Sequence, residues 1–417
     1  MNFLLVLLAG NVPPTPSPTP AVSIEVLSSP AQEIRRDFQE PLTCLPVPQE
    51  LLHPVSGELQ ELLKENHGVD GAGKVLGIWR RGPAPGEGQL FLFQGDRLQQ
   101  RFTSRYDPNR KPPGPAFSLA GEGEYVFLTW HQEGFALYAG PDLIESFFAR
   151  EYARTWPPEL VGRDTVVWCP SLVGTFEVPD DPPTLCYQQP LGGGKPEPLL
   201  SVDAQLWKKV SKGKPRNLLG DLEVELVLRQ DRRLYVVGKA LADVYLLRAS
   251  GSVEKHFFLP WALRGFGEDA EYLNWELEQE RQSAAERFAQ DPHLREAFHD
   301  ATKPPRQLKV EVYFSNPLIA RAFAKEKDLV LTTYAGGKPA NALLWLSDNG
   351  QRSRCFLLGD LLEKRAAADP GAAASSSPRV AVTSDRLWLL SPPGYFLWEE
   401  LERFWEEAQK KEKKAKP

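Results

Sequence analysis

Four aromatic residues stand at corresponding points of this chain. Trp79, Trp130, Trp168 and Tyr334 each end an apolar run just before a turn. Arg80 and Arg81 follow the first of them, and His131 follows the second. Aromatic faces beside cations can hold sugars, peptides or acidic ligands. The same rings could equally serve as packing wedges, because large aromatics bury much area. The corresponding point near Lys239 and Ala240 carries no aromatic residue. The candidate binding set is therefore Trp79, Arg80, Trp130, His131, Trp168 and Tyr334, with a ring of aromatics around a mouth as one reading and wedges as the other.

Motifs for other chemistry are missing from the sequence. "GAGKVLG" (71–77) lacks the G-x-G-x-x-G spacing and the GK[ST] ending, and it leads into a strand pattern, whereas phosphate cradles use a helix N-terminus. "LGGGKPEP" (191–198) reads as a loop. No G-x-S-x-G elbow occurs, and none of the six histidines forms an HExxH pair. "DDPP" (180–183) lacks the alternating acids of a calcium loop and reads as a solvated turn. We expect no metal and no cofactor, and assign no catalytic residue. Four cysteines occur, at 44, 169, 186 and 355, without zinc-site spacing. Cys169 and Cys186 bracket a Pro-rich segment. They either close that loop as a disulfide in an oxidising compartment or stay as two buried thiols.

The elements that would position these residues repeat. "YVFLTWHQEGFALYAGPDLIESFF" (125–148) and "YVVGKALADVYLLRASGSVEKHFF" (235–258) share an aromatic-Val start, a central apolar run and a Phe-Phe end at the same distance. Looser copies cover 75–102 and 329–358, a degenerate one starts at Asp164, and a last one covers 379–398. Each reads as strand, turn, strand, turn, strand. A further strand precedes several copies: "AFSLA" from Ala116, "LEVELVL" from Leu222, "KVEVYF" from Lys309. Four antiparallel strands repeated about six times predict an all-β fold, a β-propeller, in which each blade covers its neighbours' faces. Seven blades, or two packed β domains, are the alternatives. The blade pattern resembles the six-bladed propellers of the extracellular bacterial type. On fold analogy that resemblance brings lactonase-like and sugar-dehydrogenase-like enzymes into view, but no residue pattern of either is present.

Other segments break the pattern. Residues 268–301 read as a helical insertion between blades, with Leu273, Leu277, Ala284 and Phe288 near one face. Residues 397–417 read as an amphipathic helix with a Lys-rich tail, its stripe formed by Leu397, Leu401, Phe404, Trp405 and Ala408. Both helices are expected to pack on the ring. "AVSIEVL" (21–27) alternates as a strand and is expected to supply the outer strand of the last blade. The propeller domain is thus assigned to 21–396.

Residues 1–20 divide into an export-signal-like stretch, "MNFLLVLLAGN", and a Pro/Thr spacer. After "LAG" a bacterial lipoprotein would carry its lipidated Cys. Asn11 stands there and cannot accept a lipid. The expected address is the periplasm or cell surface, with peripheral attachment to the envelope and the cytoplasm as the alternative. A net charge of −6 gives no general attraction to nucleic acid. The reading is a non-catalytic binding or scaffold protein whose partner is an unidentified protein, peptide or glycan. A propeller-fold hydrolase or oxidoreductase with a channel site is the alternative.

Overall fold

The computed structural model describes residues 44–64, 68–81, 87–105, 116–121, 123–130, 134–147, 157–170, 180–201, 204, 208, 224–239, 243–248, 253–258, 319–333, 342–347, 350, 352–358, 379–390 and 393–415. It begins with two short strands, β1 (Cys44–Pro46) and β2 (His53–Pro54), and helix α1 (Gly57–Lys64). Six blades follow. The first is β3 (Gly68–Ala72), β4 (Val75–Arg81), β5 (Glu87–Gln94) and β6 (Arg97–Arg105). The second is β7 (Ala116–Ala120), β8 (Tyr125–Trp130), β9 (Gly134–Ala139) and β10 (Asp142–Phe147). The third is β11 (Glu159–Val161), β12 (Thr165–Trp168), β13 (Thr184–Pro190) and β14 (Glu197–Ser201). The fourth is β15 (Val224–Leu228), β16 (Leu234–Gly238), β17 (Asp243–Leu247) and β18 (Val253–Phe258). The fifth is β19 (Ile319–Lys325), β20 (Asp328–Thr333), β21 (Ala342–Ser347) and β22 (Arg352–Leu357). The sixth has β23 (Val380–Val382), β24 (Arg386–Leu390) and β25 (Pro393–Leu397), and the chain runs from it directly into α2 (Trp398–Ala415).

Within each blade the strands are antiparallel and paired in chain order. The first strand of each blade lies innermost: β3 touches β7, β11 touches β15, β15 touches β19, β19 touches β23, and β23 returns to β3. A strand in the middle of a blade is covered on both faces by the neighbouring blades. Its sequence is therefore a continuous apolar run rather than an alternating one. "LYVVG" of β16 is buried throughout, and "ALLWLS" of β21 is buried up to its last residue. Among the described residues, apolar clusters fill seams around the ring, for example Val237, Leu246, Leu331 and Leu344 between the fourth and fifth blades.

Ring closure comes from the N-terminal side. β2 pairs antiparallel with β25 and so supplies the outermost strand of the sixth blade. β1 pairs parallel with β22 and adds a fifth strand to the fifth blade. Cys44 lies opposite Cys355 in that pairing, and the two form a disulfide across 311 residues of chain. One short strap thus clamps the last two blades. α1 packs Leu59, Leu62 and Leu63 into the seam between the sixth and first blades. α2 buries Trp398 and Leu401 and lays Phe404 and Trp405 against the seam between the fifth and sixth.

The six-bladed propeller and its C-terminal helix agree with the sequence reading. The closing strand found is His53–Pro54. The expected Ala21–Leu27 strand lies outside the described residues, as do residues 1–20, the helical insertion at 268–301 and the "KVEVYF" strand. The innermost position of the fifth blade belongs to Ile319–Lys325.

Candidate functional site

Short innermost strands flank the propeller axis, so a charged residue on one of them is brought close to charges from other blades. Three acids and one base, Arg321, occupy such places, and a second base, Lys239, follows the second strand of the fourth blade beside them. Asp70 lies in the middle of β3, and its Oδ2 accepts the Leu119 N–H of the second blade at 2.8 Å. Glu159 opens β11, and its Oε1 accepts the Leu228 N–H of the fourth blade at 3.4 Å. Glu225 on β15 is 3% exposed, and its Oε1 meets Arg321 Nε of the fifth blade at 3.1 Å. Its Oε2 lies 3.5 Å from Lys239 Nζ, an ion pair rather than a hydrogen bond. Lys239, almost fully buried, also donates to the Ala320 carbonyl of the fifth blade at 3.1 Å. Each acid therefore ties its own blade to the next one.

These groups also feel one another across the axis. Burial pushes the Asp70 carboxyl up to about 6, and Glu225 adds to this, while Arg321 and the N–H groups of Leu119 and Gly71 pull it down. Glu159 is raised well above the usual carboxylate range, first by burial and then by the negative charges of Asp70 and Glu225, against the Leu228 N–H and Arg321. Asp70 sits in the first blade and Glu225 and Arg321 in the fourth and fifth, so this coupling runs through the middle of the ring. With three acids against two bases, the cluster favours holding a proton. A carboxyl that keeps its proton close to neutral pH can act as a general acid. Among the described residues, no group of three or more His, Cys, Asp or Glu could hold a metal ion.

The aromatic set is distributed differently. Trp79 is 4% exposed and packs with Leu90, Phe117 and Leu128 in the seam between the first two blades. Its ring lies over Gly88, where a Cβ would come within 1.8 Å of it. Trp168 is fully buried between the second and third blades, stacked on Tyr187 at 5.5 Å and tilted against Phe135 at 5.8 Å. The two rings thus fill different seams and do not meet. Arg80, next to Trp79 on β4, is exposed. Trp130 ends β8, with its side chain outside the described residues, and His131 and Tyr334 also lie outside them. The Cys169 and Cys186 sulfurs face each other at 2.7 Å as thiols.

The sequence reading missed the charged cluster. The available signal was a charge inside a short, mostly apolar first strand: Asp70 in "GVDGA", Glu225 in "VELVL", Arg321 in "IARAFAK". Such a charge is rare where both faces are covered, unless it finds a partner.

Neither a protein-family model nor a curated protein sequence matches the chain. Solved structures align with it at low identity. Virginiamycin B lyase from Staphylococcus aureus aligns at 8% identity over 83% of this chain and 97% of its own, with a TM-score of 0.39. The calcium-binding protein regucalcin from Agrobacterium tumefaciens aligns at 9% identity over 83% of this chain and 86% of its own, with a TM-score of 0.37. The WD40 domain of Toxoplasma gondii coronin aligns at 6% identity over 83% and 72%, with a TM-score of 0.36. By its own strand pairing and ring closure, the chain is a six-bladed β-propeller.

Proposed function

We propose that this propeller is a binding or scaffold protein of the bacterial cell envelope, presenting its ring to a protein, peptide or glycan rather than turning over a substrate. The observation that carries this reading is the use made of the buried charges near the axis. Asp70, Glu159 and Glu225 all spend carboxylate oxygens on bonds to the next blade, as residues that build a rigid ring do. The Cys44–Cys355 disulfide supports the address, because such bonds persist in oxidising compartments. The signal-like start points the same way. Among the described residues, no helix is long and apolar enough to cross a membrane.

A second reading is favoured by one observation, the raised carboxyls of Asp70 and Glu159 on the innermost strands. A hydrolase or oxidoreductase would use one of them as a proton donor. Glycan and peptide arrays probed with the purified protein and with the Asp70→Asn/Glu159→Gln double variant separate the two. A scaffold keeps its bound ligand in the folded variant. Turnover by the parent that disappears in an equally stable variant would establish the enzyme instead.

A further inference from the structure

Cys169 and Cys186 are placed for a second covalent link. Cys169 follows the last residue of β12, and Cys186 lies in β13. The strands are antiparallel, and Trp168 faces Tyr187. One step further along this register sets Cys169 opposite Cys186. Directly opposed residues in an antiparallel pair have Cβ atoms about 4.5–5.5 Å apart, which at its lower end meets the upper edge of the range a disulfide spans. The sulfurs lie at 2.7 Å, inside the contact distance of two thiol sulfurs at rest, in a site where both residues are at most 1% exposed. Nothing between them has to move aside for a bond to form.

We infer that Cys169 and Cys186 close to a disulfide within the third blade when the chain folds in the oxidising compartment, beside the wedge formed by Trp168 and Tyr187. This rests on the envelope address proposed above. The oxidant is an external disulfide. One protein thiolate attacks it, forming a mixed disulfide and expelling one thiolate. The second protein thiolate attacks the protein sulfur of that mixed disulfide, forming the Cys169–Cys186 bond and expelling the other half of the oxidant as a thiolate. Two electrons pass from the protein pair to the external disulfide, which leaves as two thiols carrying the two protons. Burial dictates the timing: exchange needs access to a thiolate, so the bond forms before the second and third blades close over it.

Burial also separates the two disulfides. Cys44 is partly exposed on the outermost strand of the fifth blade while its partner Cys355 is buried, whereas Cys169 and Cys186 are both covered, so only the rim bond has a sulfur on a partly exposed residue. A soluble reductant acting on the folded protein reaches the rim bond first and leaves the inner one.

The test is a non-reducing peptide map. Full-length protein is reduced in denaturant, refolded with oxidised and reduced glutathione, then unfolded and alkylated before digestion. The expected result is one peptide pair linking Cys44 to Cys355 and another linking Cys169 to Cys186. Brief reductant treatment of the native protein, with the reductant removed and the chain then unfolded and alkylated, is expected to label Cys44 and Cys355 only. A refolded protein with Cys44–Cys355 linked but both Cys169 and Cys186 alkylated overturns the inference, as does any pairing that crosses the two sets. The same map on protein taken from cells tests the address by itself. If Cys44 and Cys355 are alkylated there, the envelope reading fails while the refolding result still decides the chemistry of the inner pair.

Discussion

Asp70 holds a proton more readily in the folded chain than in the unfolded one. Its carboxyl rises from 3.8 to about 6 on folding. Between those values the native state binds more protons, so its contribution to stability falls as pH rises from about 4 to 6. Below 3.8 the penalty is absent, and above 6 it is complete, about 2–3 kcal/mol from the shift alone. Asp70→Asn cannot ionise and keeps an oxygen for the Leu119 N–H. The stability gap between the two proteins, measured by urea denaturation at pH 4 and pH 7, should therefore move by about 2–3 kcal/mol in favour of the variant at the higher pH. A gap that stays the same at both values would show that Asp70 is not desolvated by the ring.

Trp168 offers a second test at this scale. As a fully buried wedge it should cost about 3–5 kcal/mol when cut to Ala, the usual loss for emptying a large aromatic site. Thermal denaturation reads this directly, and an unchanged melting temperature would return the ring to a solvent-facing mouth. The aromatics were legible in the sequence because each closes an apolar run. Their surroundings were not, since wedge and funnel call for the same residue type at the same strand end. The charged cluster was illegible for a different reason. Asp70, Glu159, Glu225 and Arg321 meet only through ring closure, and no local spacing records it.

At the scale of elements, the strap of β1 and β2 contains a strand that pattern reading misses. Ala21–Leu27 alternates apolar and polar residues and so looks like a strand. His53–Pro54 is only two residues long, ends in proline and carries no alternation, yet it pairs with Tyr395 and Gly394. What holds it is context. His53 stacks on Tyr395 and its Nε2 meets Glu400 Oε2 of α2 at 2.7 Å. Gly394 leaves no room beneath the strap, as a Cβ there would sit 2.9 Å from the His53 carbonyl oxygen and 2.8 Å from the Leu52 side chain. Gly394→Ala should therefore push β2 off the sixth blade. The expected readout is faster amide hydrogen exchange in β2 and β25, with β8 and β9 unchanged. Equal protection in both regions would mean that the strap tolerates the methyl group.

α2 was easier to read. Its stripe at helical spacing predicted a packed face, and of that stripe Leu401, Phe404 and Trp405 do lie against the fifth and sixth blades, joined by Trp398, whereas Leu397 ends β25 rather than opening the helix. Trp398 also fixes the helix start by donating its indole N–H to the Thr383 carbonyl at 2.8 Å.

For the whole molecule, the decisive feature is that a ring has no ends to spare. Opening it exposes the faces of two blades at once, and each face is apolar. Among the described residues, the bond that resists opening most directly is Cys44–Cys355, which ties the strap across 311 residues. Cross-linking so long a loop limits the unfolded chain and is worth about 3–5 kcal/mol. Two truncations separate the strap from what precedes it. A chain starting at residue 44 keeps β1, β2 and the disulfide, so it should melt close to the full-length protein. A chain starting at residue 55 loses all three and leaves β25 and β22 as bare edges, so it should melt well below it. Adding reductant to the first chain should then move it towards the second but not all the way, because β1 and β2 keep their hydrogen bonds without the covalent link. If the chain starting at residue 44 already melts as low as the one starting at 55, the seam depends on an earlier segment, and Ala21–Leu27 is the stretch whose pattern fits that role. If neither truncation matters, the ring is held by its blade-to-blade clusters alone and the strap is an ornament of the fold rather than its latch.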